Sequence, residues 1–330
     1  MTDIRVGIVG CGLIGRQYAQ RLGRLGAQVE AVADPMPERT QQVAALSGAA
    51  TYADARELLA REYIDLLCVC SPTPYHYEAV LAAAQRGRHI FCEKPLAENL
   101  EQAREMCRAA HEAGVMLGIG FKMRYEAVFA RAKSMIDAGD IGTPLYAIFS
   151  YFQQVPPPER IWYTDYGALR DNIVHAIDLS NWLLGRLPAQ VSARLGNRLG
   201  FKGEDKVFLQ VAYPDGALAS IHGGWVGGDY PQVAASDDIF FQIVGAAGYV
   251  AGDRAGHFVS ATKRAIERCA LDPVDSFTEE LAAFLGALRS GEPPPIPGAA
   301  GLLAQAVIEA AFESSRRAEP VAIDRRDYSF

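Results

Sequence analysis

Apolar residues follow two patterns along this chain. In the first third, short continuous apolar runs alternate with longer stretches of helical period. Residues 4–9 (Ile-Arg-Val-Gly-Ile-Val), 28–33, 64–70 (Ile-Asp-Leu-Leu-Cys-Val-Cys), 89–92 and 115–120 read as strands, and residues 13–25, 75–87 and 99–113 as helices. A further helical stretch follows Pro35 and Pro37. Near-continuous apolar strands separated by helices of about ten to fifteen residues predict a parallel sheet covered on both faces. The pattern changes after about residue 122. A helix at 125–138, an extended run at 145–152, a proline-rich segment at 155–158 and a helix at 172–184 come next. Extended runs between 190 and 260, including 207–213, 217–221, 239–244 and 249–251, are broken by Gly, Asp or Pro and predict an antiparallel or mixed sheet. Helices at 276–289 and 301–317 flank a proline-rich loop at 291–298.

Length and composition bound what such a chain can do. With 330 residues, half of them hydrophobic, it can bury two ordinary cores, so two domains are expected. Its formal charge of −7 is spread along the sequence, without the basic tail or Lys/Arg cluster that a phosphate-backbone reader needs. Nucleic acid is therefore not an expected partner. Met1-Thr2-Asp3 runs straight into a strand with no leader pattern, and no apolar stretch reaches the length of a membrane span. A cytoplasmic protein without membrane attachment is expected. The six cysteines, at 11, 68, 70, 92, 107 and 269, show no disulfide-like framework and read as mostly reduced core residues. Cys68 and Cys70 would share one strand face without a second ligand pair nearby, so no metal is expected.

Candidate chemistry begins at Gly10-Cys11-Gly12-Leu13-Ile14-Gly15, a G-x-G-x-x-G spacing between a predicted strand and a predicted helix. Gly10 permits the tight turn, Gly12 lets the backbone approach a pyrophosphate, and Gly15 lets the helix lie against the sheet. The amides and the positive helix end, at Leu13 and Ile14, then face the phosphates. Asp34, nineteen residues after Gly15 at the end of the second strand, is placed to accept from a ribose diol and to repel a 2′-phosphate. NAD is thus expected over NADP, although Arg39 partly offsets the acid. Ser71, Thr73 and His76, just beyond the third of these strands, are assigned to the cofactor as well.

Two polar constellations follow. Glu93-Lys94-Pro95 stands beyond a predicted parallel strand, where open sheets place ligand chemistry, and Pro95 keeps the preceding backbone out of a helix. Lys94 reads as a donor to a reacting oxygen rather than a surface partner of Glu93, which reads as a cofactor or backbone anchor. Asp171 and His175 are four residues apart, on one helix face, so the carboxylate can orient the imidazole as acid or base. Asp178 and Trp182 continue that side, while Ile173, Ile177 and Leu184 supply an apolar one. Arg124 and Tyr125 read equally as substrate contacts or as residues of the domain junction. Trp162 is a candidate ring-binding wall, Asn172 a candidate substrate contact, and Trp225 reads as wall or aromatic core.

Taken together, the glycine turn, Glu93-Lys94-Pro95, Gly120-Phe121-Lys122-Met123-Arg124-Tyr125 and Asp171-Asn172-Ile173-Val174-His175-Ala176-Ile177-Asp178 resemble the glucose–fructose oxidoreductase / inositol dehydrogenase / MocA-like family, over nearly the whole chain. The resemblance implies an α/β protein with an N-terminal Rossmann domain (1–122) and a C-terminal α/β domain (123–330) built on an open, mainly antiparallel or mixed sheet. The second domain would bind substrate and form oligomers, with the terminal helix packing back on the first. By the family pattern Lys94, Asp171 and His175 form the catalytic group of an NAD-dependent sugar, cyclitol or polyol dehydrogenase, in a homodimer or homotetramer. Two alternatives stay open: a reductase of a keto-sugar or imine, and a non-catalytic dinucleotide-binding sensor.

Overall fold

A computed structural model describes residues 4–155, 163–226 and 238–324. The chain divides into two compact units, Met1–Lys122 with Asp275–Gln305, and Met123–Val274 with Ala306–Arg326. The first unit opens with β1 (Ile4–Val9), α1 (Leu13–Arg24), β2 (Ala27–Ala33), α2 (Pro37–Ser47), β3 (Ala50–Tyr52) and α3 (Ala55–Arg61). It continues with β4 (Leu66–Val69), α4 (His76–Gln85), β5 (His89–Cys92), α5 (Leu100–Glu112) and β6 (Leu117–Ile119). All six strands run parallel in the order β3-β2-β1-β4-β5-β6. The direction of winding reverses between β1 and β4, and the carboxyl ends of strands at such a point form a ligand crevice. Helices begin where the sequence supplies acceptors: Asp54 takes the Glu57 amide at 2.8 Å and Asn99 the Gln102 amide at 2.9 Å.

The second unit holds α6 (Ala127–Asp137), β7 (Pro144–Gln154), α7 (Tyr163–Tyr166), a π turn (Leu169–Ile173) and α8 (Val174–Leu184). Then come β8 (Gln190–Gly196), β9 (Lys206–Ala212), β10 (Leu218–Val226), β11 (Asp238–Gly245), β12 (Gly248–Asp253), β13 (His257–Ala261) and β14 (Ile266–Ala270). After α9 (Ser276–Ser290) and α10 (Gly298–Arg317), β15 (Val321–Ala322) completes a nine-stranded sheet, β14-β13-β12-β11-β7-β10-β9-β8-β15. Among the described residues only β7 with β10 is a parallel pair in this sheet, so the sheet is mixed. Along β7, Ala147, Phe149 and Tyr151 are buried while Tyr146, Ile148 and Phe152 alternate with them on the exposed face.

Two expectations need correction. Residues 275–305 belong with the first unit, not with everything after residue 122. Leu281, Phe284 and Leu285 of α9 join the core around β1, and Phe284 meets Phe91 edge-on at 5.0 Å. Periodicity shows that α9 has an apolar face but not which sheet receives it. The second correction concerns α8, expected to carry opposed polar and apolar sides: every residue from Val174 to Asn181 is buried. It is a core helix whose polar residues are enclosed.

Candidate functional site

The predicted residues divide between the two units. On the first, Gly10 has φ +89°, and a Cβ there would lie 2.3 Å from the Ser71 nitrogen, so only glycine fits. A Cβ on Gly15 would fall 2.0 Å from the Gly10 carbonyl oxygen. Around Gly12, by contrast, a Cβ would meet nothing within 4 Å. Gly12 also starts α1 without any side-chain cap, leaving the first-turn amides of Leu13 and Ile14 to other acceptors. Asp34 is buried at the end of β2; its Oδ2 accepts from the Cys11 amide and its Oδ1 from the Met36 amide, both at 2.9 Å. Burial, with the charge of Asp34, pushes the Cys11 thiol up to about 12, so it stays protonated. Arg39 is exposed on the first turn of α2.

Beyond β4, Thr73 is buried, and Ser71 Oγ is shielded from solvent without a hydrogen-bond partner. His76 is already occupied: Nε2 faces the Ser71 carbonyl at 2.7 Å and Nδ1 the Pro95 carbonyl at 3.0 Å. It ties the post-β4 loop to the cis Lys94-Pro95 segment instead of presenting a ring nitrogen to a ligand. Open space at Gly12, an uncapped helix start and the orphaned Ser71 hydroxyl together suit a dinucleotide pyrophosphate. Lys94 is half-buried past β5, and its amide donates to Glu93 Oε2 at 3.2 Å. Glu93 Oε1 in turn accepts from the Tyr18 hydroxyl at 2.5 Å, and that hydroxyl lies 3.2 Å from Glu280 Oε1. Neither Tyr18 nor Glu280 was legible as a site residue, because Glu280 arrives on α9 from far along the chain.

On the second unit, Asp171 and Asn172 lie in the π turn and His175 in the first turn of α8, all buried. Glu204 holds the start of this segment. Its Oε1 accepts the Leu169 amide at 2.8 Å, and any side chain on Gly167 (φ +84°) would strike its carboxylate. Burial raises the Glu204 carboxyl above its ordinary range. The Asn172 amide donates to the Gly224 carbonyl at 3.4 Å, while Asn172 Oδ1 and the Trp225 indole nitrogen are shielded and lack hydrogen-bond partners. Trp225 packs edge-on against Phe201 at 5.8 Å, as an aromatic core residue does. Arg124, expected at substrate or at the domain junction, makes a bidentate bond to Asp178, with Nε to Oδ2 at 2.9 Å. Both partners are largely buried, and burial raises the Asp178 carboxyl although Arg124 opposes the shift. Tyr125 is half-buried beside Arg124, and Trp162 lies outside the described residues. Among the described residues, no group of three His, Cys, Asp or Glu side chains is arranged to hold a metal, and no helix is long and apolar enough to cross a membrane.

A family model described as an oxidoreductase family with an NAD-binding Rossmann fold matches residues 4–121, and the GFO/IDH/MocA C-terminal domain matches residues 129–251. The chain belongs to the Gfo/Idh/MocA oxidoreductase family. Its first unit is the family's NAD-binding domain, as the glycine turn and Asp34 led us to expect. Among Gfo/Idh/MocA proteins, myo-inositol 2-dehydrogenase of Thermotoga maritima is 27% identical over 97% of this chain and 99% of its own length. The scyllo-inositol 2-dehydrogenase (NAD(+)) of Bacillus subtilis is 28% identical over 99% and 98%. An oxidoreductase from Agrobacterium radiobacter, solved with NAD+, L-tartaric acid and magnesium, shares the fold at a TM-score of 0.88. It is 22% identical over 97% of this chain and 98% of that one.

Proposed function

We propose that this Gfo/Idh/MocA protein is an NAD-dependent dehydrogenase of a cyclitol, sugar or related polyol, acting on a secondary alcohol. The observation that carries this reading is the end-to-end similarity to two inositol 2-dehydrogenases, at 97–99% coverage of this chain. The buried polar set Asp171, Asn172 and His175 supports it, since a domain that only bound a dinucleotide would have no need to enclose such groups. NAD supplies the hydride acceptor when bound. His175 takes the hydroxyl proton, because an imidazole exchanges protons near neutral pH. Lys94 holds the oxygen as it gains negative charge, and Asp171, one turn before His175, sets the imidazole's orientation. Asn172 Oδ1, a shielded acceptor, takes a neighbouring substrate hydroxyl. In this reading the second unit binds substrate and also pairs with a second copy through its open sheet face.

NADH formation over a panel of inositols, sugars and linear polyols tests the activity. His175→Asn and Lys94→Ala should each lower turnover by roughly 10²–10⁴-fold while leaving NAD affinity nearly intact. No turnover on any alcohol, despite tight NAD binding, would instead favour the sensor reading.

A further inference from the structure

The Tyr18 hydroxyl faces two carboxyl groups with one hydrogen to give. It lies 2.5 Å from Glu93 Oε1 and 3.2 Å from Glu280 Oε1, so both contacts are hydrogen bonds only if one carboxyl brings a proton of its own. The surroundings decide which one does. Burial raises the Glu93 carboxyl as well, but Glu93 has the company that opposes this and favours an anion: the Tyr18 hydroxyl, the Lys94 amide at 3.2 Å, and the charges of Lys94 and Lys122. Glu280, 2% exposed, has a second oxygen that is shielded without any hydrogen-bond partner. An orphaned carboxylate oxygen is far costlier there than the carbonyl oxygen of a neutral acid. The ordering is Glu280 O–H to Tyr18 Oη, Tyr18 O–H to Glu93 Oε1, and Glu93 Oε2 from the Lys94 amide.

We infer that Glu280 is a positioning residue for Lys94, acting through the Tyr18 hydroxyl on the carboxylate of Glu93. The four residues come from α1, the segment after β5, and α9, all within the first unit. Burial and the neighbouring charge of Glu93 push the Glu280 carboxyl well above the ordinary range, in agreement with the proton count. Gly120 packs against the same carboxylate: a Cβ there would lie 3.0 Å from Glu93 Oε1, so the glycine leaves Glu93 just the room it occupies. The consequence for catalysis rests on the role of Lys94 proposed above, whereas the hydrogen-bond chain does not.

The test therefore uses two readouts that need neither substrate nor turnover. Infrared difference spectra of the parent chain against Glu280→Gln at neutral pH should show a protonated-carboxyl stretch that the variant lacks. Hydrogen exchange at the Lys94 amide, followed by NMR, should run about tenfold faster in Glu280→Ala, the loss of roughly one hydrogen bond's protection. In Glu280→Gln, which still donates to Tyr18 Oη, it should stay close to the parent. A merely structural loss would not be rescued by glutamine, and Tyr18→Phe should match the alanine variant. Absence of the carboxyl band, or unchanged Lys94 exchange in both Glu280→Ala and Tyr18→Phe, overturns the inference. If Lys94 exchange responds as expected yet Lys94→Ala turns over polyols normally, the positioning stands and the catalytic reading of Lys94 falls.

Discussion

Asp34 holds two backbone amides, yet each carboxylate oxygen keeps a lone pair for a ribose hydroxyl. Asp34→Asn removes the charge that repels a 2′-phosphate. The preference for NAD over NADP in kcat/KM should then narrow by roughly tenfold to a hundredfold, the worth of about 1.5–3 kcal/mol for hydrogen bonds to a charged group. An unchanged ratio would assign Asp34 to the Cys11 turn alone. Glu280 makes a pH argument at the same scale. Its folded carboxyl sits well above the ordinary 4.5 through burial and then the Glu93 charge. As pH rises through 4.5 the unfolded chain gives up this proton while the native state keeps it, so stability falls with rising pH, by up to about 1.4 kcal/mol per unit. Glu280→Gln lacks that loss. Its melting temperature relative to the parent should climb as pH is raised from 4.5 toward neutrality, and a constant gap would mean no proton is held. Lys94 and Asp34 could be put forward from the sequence because each follows a predicted strand end. Glu280 could not, since its meaning comes from Tyr18 and Glu93, which no local spacing connects to it.

At the level of elements, the glycine turn separates two kinds of constraint that one motif runs together. Gly15→Ala would set a Cβ 2.0 Å from the Gly10 carbonyl, where neither backbone can yield, so α1 must lift from the sheet. A loss of about 1–3 kcal/mol in stability is expected, together with weakened NAD binding. Gly12→Ala meets no protein atom within 4 Å, and its φ of −72° suits any residue. Its urea unfolding curve should overlay the parent's while NAD affinity drops, because the new methyl stands where a pyrophosphate must approach. Equal destabilisation by both substitutions would make the turn purely structural. The parallel strands and their helices could be read from the sequence, since short continuous apolar runs set between helices suit strands covered on both faces. Residues 169–184 were only half legible. In sequence Asp178 continues the polar side of Asp171 and His175, but in the fold Arg124 satisfies it from another element, as the Tyr213 hydroxyl satisfies Asn181.

For the whole molecule, the assignment of 275–305 to the first unit depended on packing that sequence period cannot give, but the two-sheet plan and its mixed second sheet were apparent from the change of pattern near residue 122. The same sheet supplies the last prediction. Its outward side carries a cross-strand row, Phe240 beside Ser150, Ser150 beside His222, and His222 beside Phe208, spanning β11, β7, β10 and β9. The next row on that side is Gln242, Ile148, Ser220 and Gln210, and the one beyond it Val244, Tyr146 and Leu218. Tyr146 is 48% exposed, Phe208 51% and Phe240 54%, so large aromatic side chains stand open on a face they share with polar ones. A solvated sheet face normally alternates to polar residues, and several large exposed aromatics grouped among polar residues on one face suit an interface. A second copy laid on the same face is self-complementary, as twofold assembly requires. Light scattering over a concentration series should therefore give a multiple of the 35.7 kDa chain mass. Ile148→Lys combined with Phe240→Lys buries charge in that contact and should shift the mass toward one chain while NAD binding in the first unit persists. A parent protein that is monomeric at every concentration would remove the assembly, and a double variant with unchanged mass would move the contact to another face.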